Sequence, residues 1–430
     1  MTTLIRNVIL VDPGAGTESP GALVLRDGAI AEILPAAPDS LDRFAEVIDG
    51  DGRHLAPGIV DWGVKVSEPG ERHKESFRTA GLAAAAGGVT TLVTRPDTLP
   101  AIDTPEILEF VARRAAQDSP VRVLPMAALT KGREGREMTE IGFLRDAGAV
   151  AFTDGDRVVE DTRVLSRALT YARSLGALVV THVQDPGLSR GAVMTSGKFA
   201  SLRGLPAASP MAERIGLERD LALVEMTGAR LHADQVTTAA ALPSLQRAKA
   251  MGLDVTAGIS VHHLTLNDFD VGDYRTFFKL VPPLRQEEDR EAAVEALASG
   301  LIDVLGSMHT PQDEESKRLP FEAAAPGAVG LETLLPAALR LVHGGRIGLP
   351  QLFRALSLNP STRLGLPTGR LARGAPADLV LFDMNAPFVL DRWTMRSKSK
   401  NTPFDGARLQ GRVRGTWVAG QRVWPLAKEQ

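Results

Sequence analysis

The chain alternates short, almost wholly apolar runs with longer amphipathic stretches. Near-continuous hydrophobicity is typical of strands that are buried on both faces of a parallel sheet. Eight strands that alternate with helices form the pattern of a (β/α)8 barrel, an α/β fold also called a TIM barrel. The eight apolar runs are "GIVDWGVKV" (58–66), "TTLVT" (90–94), "VRVLPMAAL" (121–129), "AVAFTD" (149–154), "ALVVTHV" (177–183), "ARLHADQV" (229–236), "LDVTAGIS" (253–260) and "IDVLGSMH" (302–309).

Helix signals lie between these runs. The stretch "ESFRTAGLAAAAGG" is rich in alanine, and Gly87 is the position at which we expect its helix to stop. The stretch "TPEILEFVARRAAQ" begins with Thr104 as the predicted N-cap and Pro105 in the first turn.

Both ends of the chain have the composition of short strands. Residues 1–56 contain "LIRNVILVD" and "GALVLRDGAIAEIL", with Asp-Gly turn signals at 27–28 and 51–52. Residues 372–430 contain "ADLVLFD" and "RLQGRVRGTWVAGQRVW". We expect neither end to build a core alone, and we predict that they form one small β-sandwich together, beside a barrel that occupies residues 57–371.

Composition narrows the classes of function. The net charge is −3, which gives no basic excess for nucleic acid or an anionic membrane, and no apolar run approaches the roughly 18 residues of a spanning helix. The chain has no cysteine, so disulfides and thiolate metal sites are excluded. We therefore expect a cytoplasmic protein without a nucleic-acid or membrane partner.

Several motifs, in order and spacing, resemble those of type I dihydroorotases in the amidohydrolase superfamily. The resemblance extends over nearly the whole chain. It implies a (β/α)8 barrel with a small β domain, and a zinc enzyme that closes carbamoyl aspartate to dihydroorotate in pyrimidine biosynthesis. The matching segments include "PGIVDWGVKVSEPGERHKE", "AAAAGGVTTLVTRPDTLPAIDTPE", "LVVTHVQD", "SVHHLTL", "FFKLVPPLR", "IDVLGSMHTPQDEESKRLPFEAAAPGAVGLETLLP" and "SKSKNTPFDG".

The resemblance implies two zinc-binding histidines after the first barrel strand and a catalytic aspartate after the eighth. The histidine positions hold Gly63 and Lys65, and the aspartate position holds Met308. Glycine has no side chain, a protonated lysine does not bind a metal, and methionine does not transfer a proton. The catalytic positions are therefore degenerate.

The remaining implied ligands are partly present. Asp154 follows the fourth strand and His182 follows the fifth, as the resemblance requires. After the sixth strand, His232 matches a histidine that is not a ligand, and the ligand position holds Gln235. One carboxylate and one imidazole make a poor zinc site, so we expect no metal cofactor. A site rebuilt from His73, His262, His263 or His309 is the less favoured alternative.

The positions that would bind a small anionic substrate differ as well. The resemblance implies arginine at position 67 and asparagine at 97 and 281, whereas the chain has Ser67, Asp97 and Val281. Loss of arginine and gain of a carboxylate replace attraction by repulsion. We expect no substrate site of the family's kind.

Three further expectations concern individual residues. We expect Lys65 to pair with Asp154, because a lone buried carboxylate would be costly. We expect His73 at the surface. We expect Lys398 and Lys400 in a solvated or interface loop.

These observations favour a non-catalytic, dihydroorotase-like protein of pyrimidine biosynthesis. The resemblance implies a structural role, because some chains of this kind lack the zinc histidines and assemble with the aspartate transcarbamoylase catalytic subunit. One alternative is an active dihydroorotase, or another cyclic-amide hydrolase, with zinc at an atypical site. A second alternative is a pocket that binds a pyrimidine or nucleotide without converting it.

Overall fold

The computed structural model describes residues 2–425. Its strands are β1 (Thr2–Asp12), β2 (Thr17–Arg26), β3 (Ala29–Leu34), β4 (Glu46–Pro57), β5 (Ile59–Val64), β6 (Val89–Thr94), β7 (Arg122–Pro125), β8 (Phe152–Thr153), β9 (Leu178–Thr181), β10 (Met194–Thr195), β11 (Ala207–Ala208), β12 (Arg230–Ala233), β13 (Val255–Ser260), β14 (Val304–Gly306), β15 (Leu379–Val389), β16 (Arg408–Val418) and β17 (Gln421–Trp424).

Helices occupy most of the intervening chain. The α-helices are α1 (Phe77–Ala86), α2 (Pro105–Asp118), α3 (Ile141–Asp146), α4 (Thr162–Leu175), α5 (Pro186–Ser189), α6 (Lys198–Arg203), α7 (Met211–Thr227), α8 (Leu242–Ala250), α9 (Val261–Thr265), α10 (Glu287–Ala298), α11 (Glu314–Arg318), α12 (Leu334–His343), α13 (Leu349–Phe353) and α14 (Asn359–Leu364). Shorter 3-10 turns lie at Lys131–Arg133, Asp268–Val271, Thr276–Phe278 and Arg392–Thr394, and a π-helical turn lies at Arg354–Leu358.

The eight apolar runs all form strands of one parallel barrel, as predicted. Strands β5, β6 and β7 pair in order, and β8, β9, β12, β13 and β14 pair in order. A parallel bridge between Ala127 and Phe152 joins β7 to β8. On the other side, the backbone N–H of Ser307 donates to Asp61 Oδ1 (2.7 Å), and the N–H of Lys65 donates to the His309 carbonyl (2.8 Å). These contacts close the barrel between its first and eighth strands.

The predicted helix boundaries are confirmed at both tested positions. Gly87 is the C-cap of α1, and its N–H donates to the carbonyl oxygens of the last turn. Thr104 is the N-cap of α2, and Pro105 is its first residue. Proline suits this position because its fixed φ is helical and its missing N–H has no partner there.

The two chain ends join in one sheet beside the barrel. The strand order is β17-β16-β15-β4-β1-β2-β3, and β4 pairs antiparallel with β15, so that Leu379 lies opposite Pro57. Because neighbouring strand residues point to opposite faces, Leu23 packs in one buried cluster and Val24 in another. The prediction that both ends build a common β domain is therefore confirmed, but their strands are hydrogen-bonded in one seven-stranded sheet rather than in the two sheets of the predicted β-sandwich.

The barrel core and the β domain are packed directly against each other. The largest buried cluster combines barrel residues such as Ile59 and Leu331 with Val380, Phe382 and Leu409 from the C-terminal strands. None of the helices described over residues 2–425 is long and apolar enough to cross a membrane.

Candidate functional site

Two of the degenerate catalytic positions, 63 and 308, are in contact at the carboxyl end of the barrel strands. Gly63 lies in β5 with φ of 77°, and Met308 follows β14 with φ of 47°. A Cβ placed on Gly63 would overlap the Met308 sulfur and would lie 3.2 Å from its terminal methyl group. The methionine side chain is buried. It therefore occupies the volume that a side chain at position 63 would need.

Lys65 and Arg95 form an ion cluster with Asp97, the carboxylate that stands where the resemblance implies an asparagine. Lys65 Nζ lies 3.3 Å from Asp97 Oδ2, and Arg95 Nη2 lies 2.9 Å from the same oxygen. Burial alone would raise the pKa of Asp97, but the Arg95 guanidinium and the Lys65 ammonium hold it well below its usual range. Asp97 is therefore ionised and bound to two protein cations.

The prediction that Lys65 pairs with Asp154 is wrong. Asp154 Oδ1 instead accepts the backbone N–H groups of Leu129 (3.1 Å) and Thr130 (3.0 Å), and Oδ2 accepts the Thr130 hydroxyl. Burial raises the pKa of Asp154, and these hydrogen bonds oppose that rise. Since three donors already satisfy the carboxylate, no cation is required beside it.

His182, Gln235 and Ser67, at two implied ligand positions and one implied substrate position, each have different surroundings. His182 is buried, and burial lowers its pKa to about 4, so the imidazole is neutral near pH 7. Gln235 Nε2 donates to the carbonyl of Val281 (3.3 Å). Ser67 is buried, and its hydroxyl has no hydrogen-bond partner over residues 2–425.

The remaining histidines serve the fold. His232 Nδ1 lies 2.8 Å from Thr256 Oγ1, and the ring centroid lies 4.5 Å from that of Trp62. His263 Nδ1 lies 2.7 Å from Ser260 Oγ, and His309 Nε2 lies 3.4 Å from Glu75 Oε2.

His262 and His73 also have surroundings unlike those of a metal ligand. His262 stacks on Phe404 with ring centroids 5.6 Å apart. The side chain of His73 is 65% exposed, which confirms its expected surface position.

The two lysines of the predicted loop differ in exposure. Lys398 is exposed, and its Nζ donates to the Arg72 carbonyl (3.0 Å). Lys400 is half-buried, and its Nζ donates to the carbonyl of Ser397 (2.7 Å).

The donor set does not fit the zinc that the fold family implies. Within residues 2–425, no group of three or more histidine, cysteine, aspartate or glutamate side chains is arranged to hold a metal ion. The frame instead contains a thioether at Met308, an ammonium at Lys65 and a carboxylate at Asp154 whose lone pairs face backbone amides. Zinc binds carboxylates and imidazoles but not an ammonium, and Asp154 with His182 would give two ligands where a catalytic zinc needs three.

Two charged residues of the site escaped the sequence analysis. Arg95 follows β6 and is buried, and burial opposes its charge while Asp97 stabilises it and raises its pKa. Asp234 follows β12, and burial raises its pKa to about 6, although Arg95 opposes this. The sequence shows that Arg95 lies two residues before Asp97 and that Asp234 directly precedes Gln235. It does not show that the fold brings these residues to the same end of the barrel.

The barrel mouth contains one nearly filled space and one open cavity. The inner space, beside Arg95, Gln235, His263 and Met308, has a volume of about 40 Å³. That is room for a few water molecules but far below the roughly 300 Å³ of a small-molecule site. The outer cavity has a volume of about 660 Å³ and is bordered by His182, Gln184, Arg133, Arg136, Arg157 and Pro282.

Comparison with known proteins gives consistent results. The family model described as "Dihydro-orotase-like" matches residues 52–266. The chain is 40% identical over 416 residues to a dihydroorotase of Anaeromyxobacter dehalogenans (strain 2CP-1), with 96% of each chain covered. It is also 40% identical over 421 residues to a "Dihydroorotase-like protein" of Pseudomonas putida, with 98% of each covered.

Solved structures show the same fold. L-Hydantoinase (dihydropyrimidinase) from Arthrobacter aurescens aligns with a TM-score of 0.88 and 26% identity, over 98% of this chain and 95% of that chain. A D-hydantoinase aligns with a TM-score of 0.84 and 24% identity over the same shares of the two chains. The barrel with its β-rich domain is thus the amidohydrolase architecture.

Removal of the Asp97 charge tests the ion cluster. We expect Asp97→Asn to lower the free energy of unfolding by about 3 kcal/mol at pH 7, because the buried Arg95 and the partly buried Lys65 lose their carboxylate. Asp146→Asn is the control, since Asp146 is exposed beside Arg145, and we expect a loss below about 0.5 kcal/mol. Urea unfolding measures both.

The dependence of stability on pH gives a second test of the Asp97→Asn variant. The pKa of Asp97 is depressed in the folded chain, so the ion cluster stabilises the fold fully above the unfolded pKa of about 4, and this stabilisation is lost as the pH falls toward the folded pKa. The difference between the parent chain and Asp97→Asn should therefore shrink below about pH 4. A difference that stays constant between pH 3 and pH 7 would contradict the ion cluster.

A double-mutant cycle tests the packing of Met308 over Gly63. We expect Gly63→Ala to cost about 2–4 kcal/mol, because the new methyl group meets the sulfur and the backbone has positive φ. In the Met308→Ala background the same change should cost at least about 1 kcal/mol less. Urea unfolding of the four chains measures this coupling, and additive effects would argue against the contact.

Proposed function

Because the chain belongs to the dihydroorotase-like family and its catalytic frame is filled, we propose that it is a non-catalytic member of that family. Its role would be structural, in pyrimidine biosynthesis, as a subunit that supports aspartate transcarbamoylase. The observation that carries this proposal is the Met308 side chain, which stands at the position of the catalytic aspartate and fills the space above Gly63.

The chemistry of the family explains why this observation matters. Hydrolysis of a cyclic amide requires an activated water and a group that moves a proton, and ring closure is the reverse step, which releases that water and needs the same groups. A thioether does neither, and Lys65 is held as a cation beside Asp97. Asp154 retains its side chain, but its oxygens accept hydrogen bonds from Leu129 and Thr130. Met308 and Lys65 therefore supply neither the metal ligand nor the proton-transfer group that the resemblance implies at their positions.

The relatives do not decide the activity by their names. One relative with 40% identity is named a dihydroorotase, and another with the same identity is named a dihydroorotase-like protein. Overall similarity is therefore compatible with an active enzyme and with a different role. The side chains in the catalytic frame are what favour the non-catalytic role.

The structural role has a simple physical basis. A barrel whose catalytic frame is filled by Met308 still presents its outer surfaces to a partner. Binding that favours the assembled form of the partner stabilises that form by mass action. We infer that this chain stabilises the trimers of the transcarbamoylase catalytic subunit in this way. A chain without cysteine is suited to the reducing cytoplasm, where we place this assembly.

Metal content and turnover test the loss of activity. We expect the purified, untagged chain to contain less than about 0.1 zinc per chain by elemental analysis. We also expect no conversion between carbamoyl aspartate and dihydroorotate, with or without added zinc, because the frame lacks ligands and a proton-transfer group. The dihydroorotase of Anaeromyxobacter dehalogenans, prepared in parallel, is the positive control.

The alternative is an active cyclic-amide hydrolase with zinc on Asp154 and His182. About one zinc per chain, together with turnover that chelation abolishes, would establish this alternative and overturn the proposal. Turnover that is independent of metal would overturn it as well.

The partner is tested by direct assembly. When the chain is mixed with the aspartate transcarbamoylase catalytic subunit of the same organism, we expect a complex of defined stoichiometry in size-exclusion chromatography with light scattering. The transcarbamoylase should also keep its activity on dilution to lower concentrations than it does alone. Separate elution at about 10 μM of each protein, with unchanged dilution behaviour, would reject this partner.

A further inference from the structure

One exposed strand face near the C-terminus carries arginines in a regular row. In β16 the side chains of Arg408, Gln410, Arg412 and Arg414 are exposed, whereas Leu409 lies buried between them. Successive side chains of a strand point to opposite faces, so these four residues share one face with a spacing of about 7 Å. We call these four residues the arginine row.

The surrounding segment is strongly basic in an acidic chain. Residues 387–424 contain eight lysines and arginines and two aspartates, a net charge of +6, whereas the whole chain has a net charge of −3. Such asymmetry produces a local positive potential that attracts an acidic partner.

Two members of the row have no carboxylate within ion-pair distance. Over residues 2–425, no salt bridge engages Arg408 or Arg412, and Arg414 only approaches Asp383, at 3.9 Å. The guanidinium carbon of Arg412 lies 4.7 Å from the centre of the Phe388 ring. Stacking on an aromatic ring orders a guanidinium group while its N–H donors stay free for a carboxylate.

Apolar side chains lie beside the row, as they do in protein interfaces. Val389 pairs across the strands with Arg408 and is 62% exposed. Trp393, on the connection between β15 and β16, is also 62% exposed, but it borders a separate cavity with Phe277 and not the row. Arginine is one of the residues most enriched among those that dominate binding energy.

Two cavities lie on either side of the ridge formed by Phe388 and Val389. One, of about 500 Å³, is bordered by Arg340, His343 and Arg408 and has no acidic residue in its wall. The other, of about 520 Å³, is bordered by Arg412, Arg414 and Trp424, and its wall also contains Glu332 and Asp391. Both are large enough to receive side chains of a partner.

We propose that the arginine row is the docking surface for an acidic face of a protein partner. The proposal rests on the proposed function, and it assigns to this face the contact with the transcarbamoylase catalytic subunit. Arginine binds carboxylates through paired hydrogen bonds, which gives orientation as well as attraction. A protein partner fits better than a nucleic acid, because the chain as a whole is acidic and the row is flanked by exposed apolar side chains.

Charge reversal on the row tests the proposal. We expect Arg408→Glu/Arg412→Glu to raise the Kd for the transcarbamoylase at least about 30-fold and to weaken the salt dependence of binding. The matched control is Arg113→Glu/Arg167→Glu, because both arginines are exposed on barrel helices and the change of net charge is identical. We expect the control to change Kd less than about 3-fold.

A milder variant separates geometry from charge. Arg408→Lys/Arg412→Lys keeps both positive charges but loses the paired hydrogen bonds, so we expect a rise in Kd of about 3- to 10-fold. A thermal midpoint within about 2 °C of the parent chain would show that each variant is folded. Biolayer interferometry at several salt concentrations measures all four chains.

The outcomes distinguish the two proposals. If the parent chain forms no complex with the transcarbamoylase, the proposed function fails and this docking surface fails with it. If the complex forms and charge reversal leaves Kd and its salt dependence unchanged, only the docking surface is wrong. Binding of a duplex or single-stranded oligonucleotide through the row at 150 mM salt, tighter than that of the transcarbamoylase, would also overturn it.

Discussion

Buried carboxylates at the mouth of a barrel must be neutralised, and in this chain the protein's own side chains do so. Arg95 and Lys65 compensate Asp97, and backbone amides with one hydroxyl compensate Asp154. The resemblance to type I dihydroorotases implies a metal ion that would supply this positive charge. Once lysine and arginine supply it, Asp97 needs no bound cation, and the walls of the inner space can pack closely around the ion cluster.

Much of the architecture could be predicted because it depends on residue type and period. The apolar runs predicted all eight barrel strands, and strand-like ends predicted a shared β domain. Gly87 and Thr104 marked helix boundaries because caps have local chemistry. The filling of positions 63 and 308 was predictable only as two separate losses, since their mutual contact joins strands 245 residues apart.

Lys65 was predicted to pair with Asp154, but the groups that satisfy Asp154 are not visible in a sequence. A sequence shows side chains that can compensate Asp154, but it does not show backbone amides, and the amides of Leu129 and Thr130 are what the carboxylate accepts. Asp97, which the resemblance presented as a damaged substrate contact, is the actual partner of Lys65. Arg95 and Asp234 were overlooked because no motif marks them, and only the closed barrel brings them together.

The contact between Met308 and Gly63 also limits which side chains the two positions can hold. A histidine placed at position 63 alone would collide with the methionine sulfur. An aspartate placed at position 308 alone would add a carboxylate to a mouth that already holds Asp234. A metal ligand at position 63 is therefore compatible with the fold only when position 308 changes with it.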